Sequence, residues 1–197
     1  MDLEIFIISF FSYIIGSIPF GLIITKLLGY GDIRNLGSGN IGATNVLRTG
    51  NKFIALLVLI LDLLKGFIPV FYLINFSSIN DLSLIIIGSF AVFGHIFPIW
   101  LKFRGGKGVA TYIGFLIGID YVIASIFILS WISIAFIKKY SSLASICSLA
   151  ASPFLFMIFA YNLRISLLFL IISLVLICKH IENIRRLINK KETKIKL

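Results

Sequence analysis

The sequence predicts an all-α integral membrane protein with seven transmembrane helices, one of them short, the N-terminus outside and the C-terminus in the cytoplasm. Three observations carry that expectation. Apolar residues make up 59% of the 197 positions before the 16 Gly are counted, and only 13% are charged. A soluble domain has roughly 45–50% apolar residues with Gly included and about 25% charged ones. Mean hydropathy is +1.09, far too apolar for a water-facing surface. Finally, the 18 Lys and Arg outnumber the 8 Asp and Glu, and they collect in short loops between apolar runs and in the C-terminal tail. That distribution argues against nucleic acid as a partner and follows the rule that cytoplasmic loops hold Lys and Arg.

Apolar stretches run at 3–28, 53–75, 82–101, 108–137, 142–161 and 164–180. All but the fourth approach the ~20 residues that cross a ~30 Å hydrocarbon core. The first begins Met1-Asp2-Leu3-Glu4. Acidic residues stand where a signal peptide needs basic ones, so this segment is expected to remain as a span. The fourth is too long for one span, and Gly118-Ile119-Asp120 interrupts it. A turn at Asp120 gives seven spans and places 16 of the 18 basic residues on one side, with Arg164 opposite and Lys65 within a span. Asp2, Glu4, Asp81 and Asp120 then lie outside. The resulting helix over 108–118 is only about 17 Å long at ~1.5 Å per residue, so neighbouring helices must shield it. No linker or internal repeat divides the chain, which reads as one polytopic domain over 1–197 with a basic cytoplasmic tail at 179–197.

This topology gathers three polar stretches on the cytoplasmic side. The first is Gly37-Ser38-Gly39-Asn40-Ile41-Gly42-Ala43-Thr44-Asn45 with Arg48. It contains the letters of a dinucleotide fingerprint but follows a membrane helix, whereas that fingerprint needs a strand before it. Glycines still let backbone N–H groups approach an anion, and Arg48 can clamp a phosphate with two hydrogen bonds. The second runs from Gly94-His95 through Lys102-Phe103-Arg104-Gly105-Gly106-Lys107-Gly108-Val109-Ala110-Thr111. Its glycines precede the short helix, whose N-terminal donors favour an anion. The third, Lys179-His180-Ile181-Glu182-Asn183-Ile184-Arg185-Arg186-Leu187, puts His180, Asn183 and Leu187 on one helical face.

Asp62 and Lys65, one turn apart within the second span, are expensive in lipid and are expected to pair inside the bundle and orient the helices. Cys147 and Cys178 sit in apolar runs and imply no disulfide framework. Two histidines without Cys or acidic partners make a metal site improbable, and no cofactor is expected. Five residues after His95 and His180 stand Trp100 and Arg185, so the His-x-x-x-x-Asp arrangement of acyl-CoA-dependent glycerolipid acyltransferases is absent. A transporter using the same loops as an anion filter would show repeats and midplane sites, and neither is visible.

These three stretches resemble the signature motifs of the bacterial acyl-phosphate:glycerol-3-phosphate acyltransferases. Gly16-Ser17-Ile18-Pro19-Phe20-Gly21 and Leu61-Asp62-Leu63-Leu64-Lys65-Gly66 also resemble that family, so the likeness extends from about residue 12 to 187. One departure is that Asn189-Lys190-Lys191 stands where the family often has a Gly. The resemblance implies an enzyme of the bacterial cytoplasmic membrane, with its active site on the cytoplasmic face. It would move a fatty acyl group from acyl phosphate to the 1-hydroxyl of glycerol 3-phosphate, giving lysophosphatidic acid in the first acylation of phospholipid synthesis. It implies catalytic roles for Ser38, Arg48, Lys107, His180 and Asn183. Substrate binding would involve Gly37, Gly39, Asn40, Thr44, Asn45, His95, Arg104, Gly105, Gly106, Gly108, Thr111, Glu182 and Arg185, with phosphate received by Gly105–Gly108. Membrane lipid and the soluble enzyme that makes acyl phosphate are the further partners it suggests. The hydroxyl proton passes either to His180 or to a substrate phosphate.

Overall fold

The computed structural model describes residues 3–76, 79–159 and 161–195. Asp2 and Lys196, counted in the charge distribution, lie outside them. All regular structure among the described residues is helical. The chain divides into two compact units, Met1–Ile119 and Asp120–Leu197.

The first unit holds α1 (Leu3–Gly16), α2 (Phe20–Leu27), the single turn α3 (Ala43–Val46), α4 (Lys52–Phe76), α5 (Asp81–Ile96) and α6 (Val109–Ile119). Pro19 separates α1 from α2, because its ring lacks an N–H and pushes the preceding residue out of helical geometry. Asn80 caps α5 by accepting from the Ser83 N–H at 3.0 Å. Backbones meet at reciprocal glycines. A methyl group at Gly66 would strike the Thr111 carbonyl, and one at Gly114 would strike the Leu63 carbonyl, which locks α4 to α6. Gly16 against Ala91 and Gly94 against Tyr13 do the same for α1 and α5. Such small-residue seams replace the hydrophobic drive that lipid removes. The short α6 is shielded as expected, with Tyr112, Phe115 and Leu116 fully buried.

The second unit holds α7 (Tyr121–Lys138), α8 (Ser141–Ile158), α9 (Leu163–Cys178) and α10 (Ile181–Ile188). The turn expected at Asp120 is present. Its carboxylate caps α7 through the Val122 and Ile123 N–H groups at 2.8 and 3.0 Å. The Tyr161 hydroxyl donates to the same side chain at 2.8 Å, so the α8–α9 connector lies at this end. At the opposite end, the Ile195 N–H donates to the Lys139 carbonyl at 2.8 Å, which brings the tail beside the α7–α8 connector. Between these ends the Phe156 and Phe169 rings stack at 3.8 Å and the Ser152 and Ser173 hydroxyls bond at 3.1 Å.

Against the seven spans expected, five helical segments among the described residues are long and apolar enough to cross a membrane alone, and α9 qualifies with α10 as a pair bent by 60°. The 11-residue α6 falls short. Fully apolar side chains such as Phe10, Phe53 and Phe136 remain exposed on helix faces. In water such a surface would drive association; here it is the face offered to lipid. The molecule is a membrane protein built of helices.

Candidate active site

In the first unit, the loop after α2 is organised by Asn45. This side chain is 1% exposed. Its amide donates to the Ile33, Leu36 and Asn40 carbonyls at 2.9, 2.9 and 2.8 Å. Its Oδ1 accepts from the Ser38 N–H at 3.0 Å and lies 3.3 Å from the Ser38 hydroxyl. Asn45, expected to touch substrate, is thus the internal staple of the loop. Gly37 has φ +57, and a Cβ there would collide with the Arg48 guanidinium and Asn45 Oδ1. The absent side chain lets Arg48 cross the turn beside Ser38. Ser38, Thr44 and Arg48 are exposed and Asn40 half-buried, so these groups can meet a ligand. The glycine loop leads only into the four-residue α3, too short to build a macrodipole. Any anion here relies on individual donors and on Arg48. At the edge of the loop, the Arg34 guanidinium donates to Asp32 at 2.9 Å, and this hydrogen bond holds the Asp32 carboxyl down to about 2.

The second stretch differs from its expectation in one respect. The Gly105 N–H donates to the Ile96 carbonyl at 3.2 Å and the Gly106 N–H to the His95 carbonyl at 3.1 Å. Both amides close a hairpin after α5 instead of cradling an anion. Lys107 follows, half-buried, and Gly108 at φ +79 turns the chain into α6. Lys107 and the first turn of α6 follow this hairpin along the chain. Thr111 is fully buried, and its backbone carbonyl packs against Gly66 in the α4–α6 seam. Arg104 lines an open cavity of about 600 Å³ together with Lys26, Arg34, Lys102, Leu22, Trp100 and Leu101.

Beneath Gly106 lies a buried charged cluster. Lys65 Nζ is 2.7 Å from Asp62 Oδ1, and His95 Nδ1 is 3.6 Å from the same oxygen, just beyond hydrogen-bond distance. Lys65 also donates to the Ile18 carbonyl at the α1–α2 break, at 3.0 Å, and sits 5.7 Å from the Phe20 ring centre. The expected Asp62–Lys65 pair is present, and His95 completes it. His95, expected to touch substrate, is buried at 5% exposure and lies beside Asp62. Sequence reasoning missed this link because residues 62 and 95 belong to different helices.

In the second unit, His180 stands at the bend between α9 and α10 and is 2% exposed. Its Nδ1 lies 2.8 Å from the Leu176 carbonyl. A carbonyl only accepts, so Nδ1 carries the proton and neutral imidazole has its lone pair on Nε2. Asn183, one turn on and 3% exposed, donates through Nδ2 to Glu192 Oε1 at 2.7 Å. Glu192 also accepts from the Ser142 hydroxyl and from Arg186 Nε, each at 2.7 Å. Burial raises the Glu192 pKa, but hydrogen bonds from Arg186, Ser142 and Asn183 outweigh it and the net shift is downward. Glu182 and Arg185 are exposed, and Glu182 faces Arg186 at 3.9 Å. Neither joins His180 and Asn183, because helical spacing turns them to other faces. Ser142, Arg186 and Glu192 were not anticipated. A polar α8 start and an acid among the lysines that follow α10 are the signals the sequence holds for them.

The profile of the glycerol-3-phosphate acyltransferase family matches residues 6–190. The chain belongs to that family. A glycerol-3-phosphate acyltransferase of Pelagibacter ubique is 47% identical over 197 residues, covering 99% of this chain and all of the relative. One of Bartonella henselae is 48% identical, covering 96% of this chain and 90% of the relative. Among solved structures, PlsY (YgiH), an integral membrane glycerol 3-phosphate acyltransferase in its glycerol 3-phosphate form, is similar with a TM-score of 0.92. The two are 37% identical over 98% of this chain and 96% of that one. Its lysophosphatidic acid form has a TM-score of 0.89 at 36% identity. In this acyltransferase the two units carry different parts of the motif set. Ser38, Arg48 and Lys107 stand on the first, and His180 and Asn183 on the second.

Proposed function

We propose that this acyltransferase moves a fatty acyl group from acyl phosphate to the 1-hydroxyl of glycerol 3-phosphate, releasing lysophosphatidic acid and inorganic phosphate. The observation that carries this reading is the near-complete structural likeness to the glycerol 3-phosphate form of PlsY. The polar groups along the three motifs agree with it. Acyl phosphate is a mixed anhydride with a good leaving group, so the reaction needs no covalent enzyme nucleophile. The glycerol oxygen bonds to the acyl carbon, the carbon–oxygen bond to phosphate breaks, and the hydroxyl proton leaves with the phosphate. Arg48, Lys107 and the Ser38 hydroxyl offset charge on the phosphates and on the carbonyl oxygen as it becomes anionic. His180 and Asn183 hold glycerol 3-phosphate, and positioning its hydroxyl supplies much of the remaining acceleration. His180 Nε2 accepts from that hydroxyl in the bound substrate and gives up this hydrogen bond as the proton passes to the departing phosphate. Nearby Lys and Arg disfavour a full imidazolium, which is why the proton is assigned to the departing phosphate.

The basic loops and the tail face the cytoplasm of a bacterial inner membrane, and the seven apolar segments all lie within its thickness. In the second unit, the acidic connector at Asp120 and the basic connector at Lys139 occupy opposite helix ends, which supports this polarity. Single-cysteine labelling from outside, in a background lacking Cys147 and Cys178, should modify position 81 and spare position 190. The reverse pattern overturns the topology. For the reaction, detergent-purified protein should release phosphate from acyl phosphate only when glycerol 3-phosphate is present. Comparable acyl transfer from acyl-CoA overturns the donor assignment.

A further inference from the structure

Two residues past the segment matched by the family profile, which ends at 190, stands Glu192. It is the acidic residue that follows α10, and its side chain is only 8% exposed. The chain reaches this place by a sharp reversal. Lys190 adopts a left-handed φ of 57, and the Lys191 N–H returns to the Arg186 carbonyl at 2.7 Å. Farther on, the Ile195 N–H holds the Lys139 carbonyl at 2.8 Å and Lys194 Nζ sits 5.9 Å from the Tyr140 ring centre. The segment after α10 is thereby strapped along the α7–α8 connector, with the Glu192 carboxylate turned inward.

The two oxygens of that carboxylate do different work. Oε1 accepts from Asn183 Nδ2 and the Ser142 hydroxyl, and Oε2 accepts from Arg186 Nε. An asparagine amide has a donating and an accepting end of nearly equal size, and a mobile amide offers either one. A carboxylate is acceptor-only, so flipping Asn183 would set Oδ1 against Glu192 and leave two acceptors facing each other in a buried place. Charge-assisted bonds are also the stronger kind.

We propose that Glu192 is a positioning residue that fixes the Asn183 amide, so that Oδ1 is the atom offered to substrate. An oxygen acceptor fits a hydroxyl donor and repels phosphate oxygens. Asn183 therefore meets the glycerol hydroxyl end of glycerol 3-phosphate, not its phosphate. The inference rests on the proposed contact of Asn183 with glycerol 3-phosphate.

The test is steady-state kinetics of the full-length, detergent-purified enzyme with each substrate varied in turn, together with thermal unfolding. Glu192→Ala should raise the glycerol 3-phosphate concentration for half-saturation by about tenfold or more, the loss expected when one charge-assisted contact stops orienting a substrate group. Turnover should change by less than roughly threefold, and half-saturation by acyl phosphate should not move. Glu192→Gln can turn either an oxygen or an NH2 toward Asn183, so it should raise the glycerol 3-phosphate requirement too, by less than Glu192→Ala. In an Asn183→Ala background, Glu192→Ala should add nothing further, since coupled residues are not additive. A folded Glu192→Ala enzyme with unchanged glycerol 3-phosphate requirement overturns the inference. Equal loss with both substrates does so too, as does a full effect in the Asn183→Ala background. If Glu192→Ala does not survive purification, Glu192→Asp withdraws the carboxylate by one methylene, and an unchanged requirement there overturns it equally. Should Asn183→Ala itself leave glycerol 3-phosphate use intact, the proposed site fails. Should Asn183→Ala impair it while Glu192→Ala does not, only the positioning role fails.

Discussion

Gly106 lies against the imidazole of His95, with no room for a Cβ, while its N–H donates to the His95 carbonyl at 3.1 Å. The glycine hairpin and the buried charged cluster are thus one mechanical assembly, joined at a residue that has to be glycine. Gly106→Ala should destabilise the protein by roughly 1–3 kcal/mol, the usual range for overpacking. His95→Ala in the same chain should recover much of that stability by removing the obstacle. Thermal unfolding of both single variants and the double one checks the coupling. Strictly additive losses would show that ring and glycine do not compete for the same space.

The Asp62–Lys65 contact of 2.7 Å is buried within the apolar length of α4. Removing one partner strands the other, which in buried pairs costs about 3–5 kcal/mol. Lys65→Met and Asp62→Asn should therefore each lower stability sharply. The combination of both should be far milder than the sum. Yields of monodisperse protein and unfolding temperatures measure this, and a double variant worse than either single one contradicts it.

Lys107 is half-buried at the entrance to α6. Lys107→Ala should raise the acyl phosphate requirement or lower turnover by about tenfold or more while shifting stability little, because contacts of a half-exposed lysine contribute little to folding. Matched losses of unfolding temperature and activity would remove the phosphate role.

His180 donates from Nδ1 to Leu176, which leaves Nε2 as its accepting atom. As a positioning group it should, on replacement by Ala, mainly raise the glycerol 3-phosphate concentration required. A general base would instead lower turnover at saturation and remove a pH dependence near its ordinary value of ~6.5. Rate profiles over pH for parent and His180→Ala enzymes separate the two, and normal kinetics in the variant would dismiss both.

Glu192 is held below its ordinary carboxyl value of 4.5 despite its burial, by the bonds from Arg186, Ser142 and Asn183. A folded-state value below the unfolded one stabilises the folded protein at pH above the unfolded value. That contribution is lost as pH falls through the folded value. The stability gap between parent and Glu192→Gln should thus be fullest near neutrality and should close in acid. Unfolding temperatures of the pair from pH 7 downward test this, and a gap independent of pH would mean the carboxylate is not ionised in its bonded state.

Much of the architecture is decided locally and is therefore legible along the chain. Apolar length marks the long helices, and Asp120 caps and breaks the fourth stretch. The glycine, arginine and histidine motifs sit close enough in sequence to be read as units, which is why the family resemblance is visible before any folding is considered. Other features depend on packing. Asn45 carries no mark that distinguishes a staple from a ligand contact until the carbonyls of Ile33, Leu36 and Asn40 are seen around its amide. Gly105 and Gly106 read as an anion cradle until a hairpin claims their N–H groups. The approach of His95 to Asp62, and of Glu192 to Asn183, follows from how helices pack and how the tail reverses. One-dimensional spacing sets which residues share a helix face, but only the tertiary packing decides which faces meet.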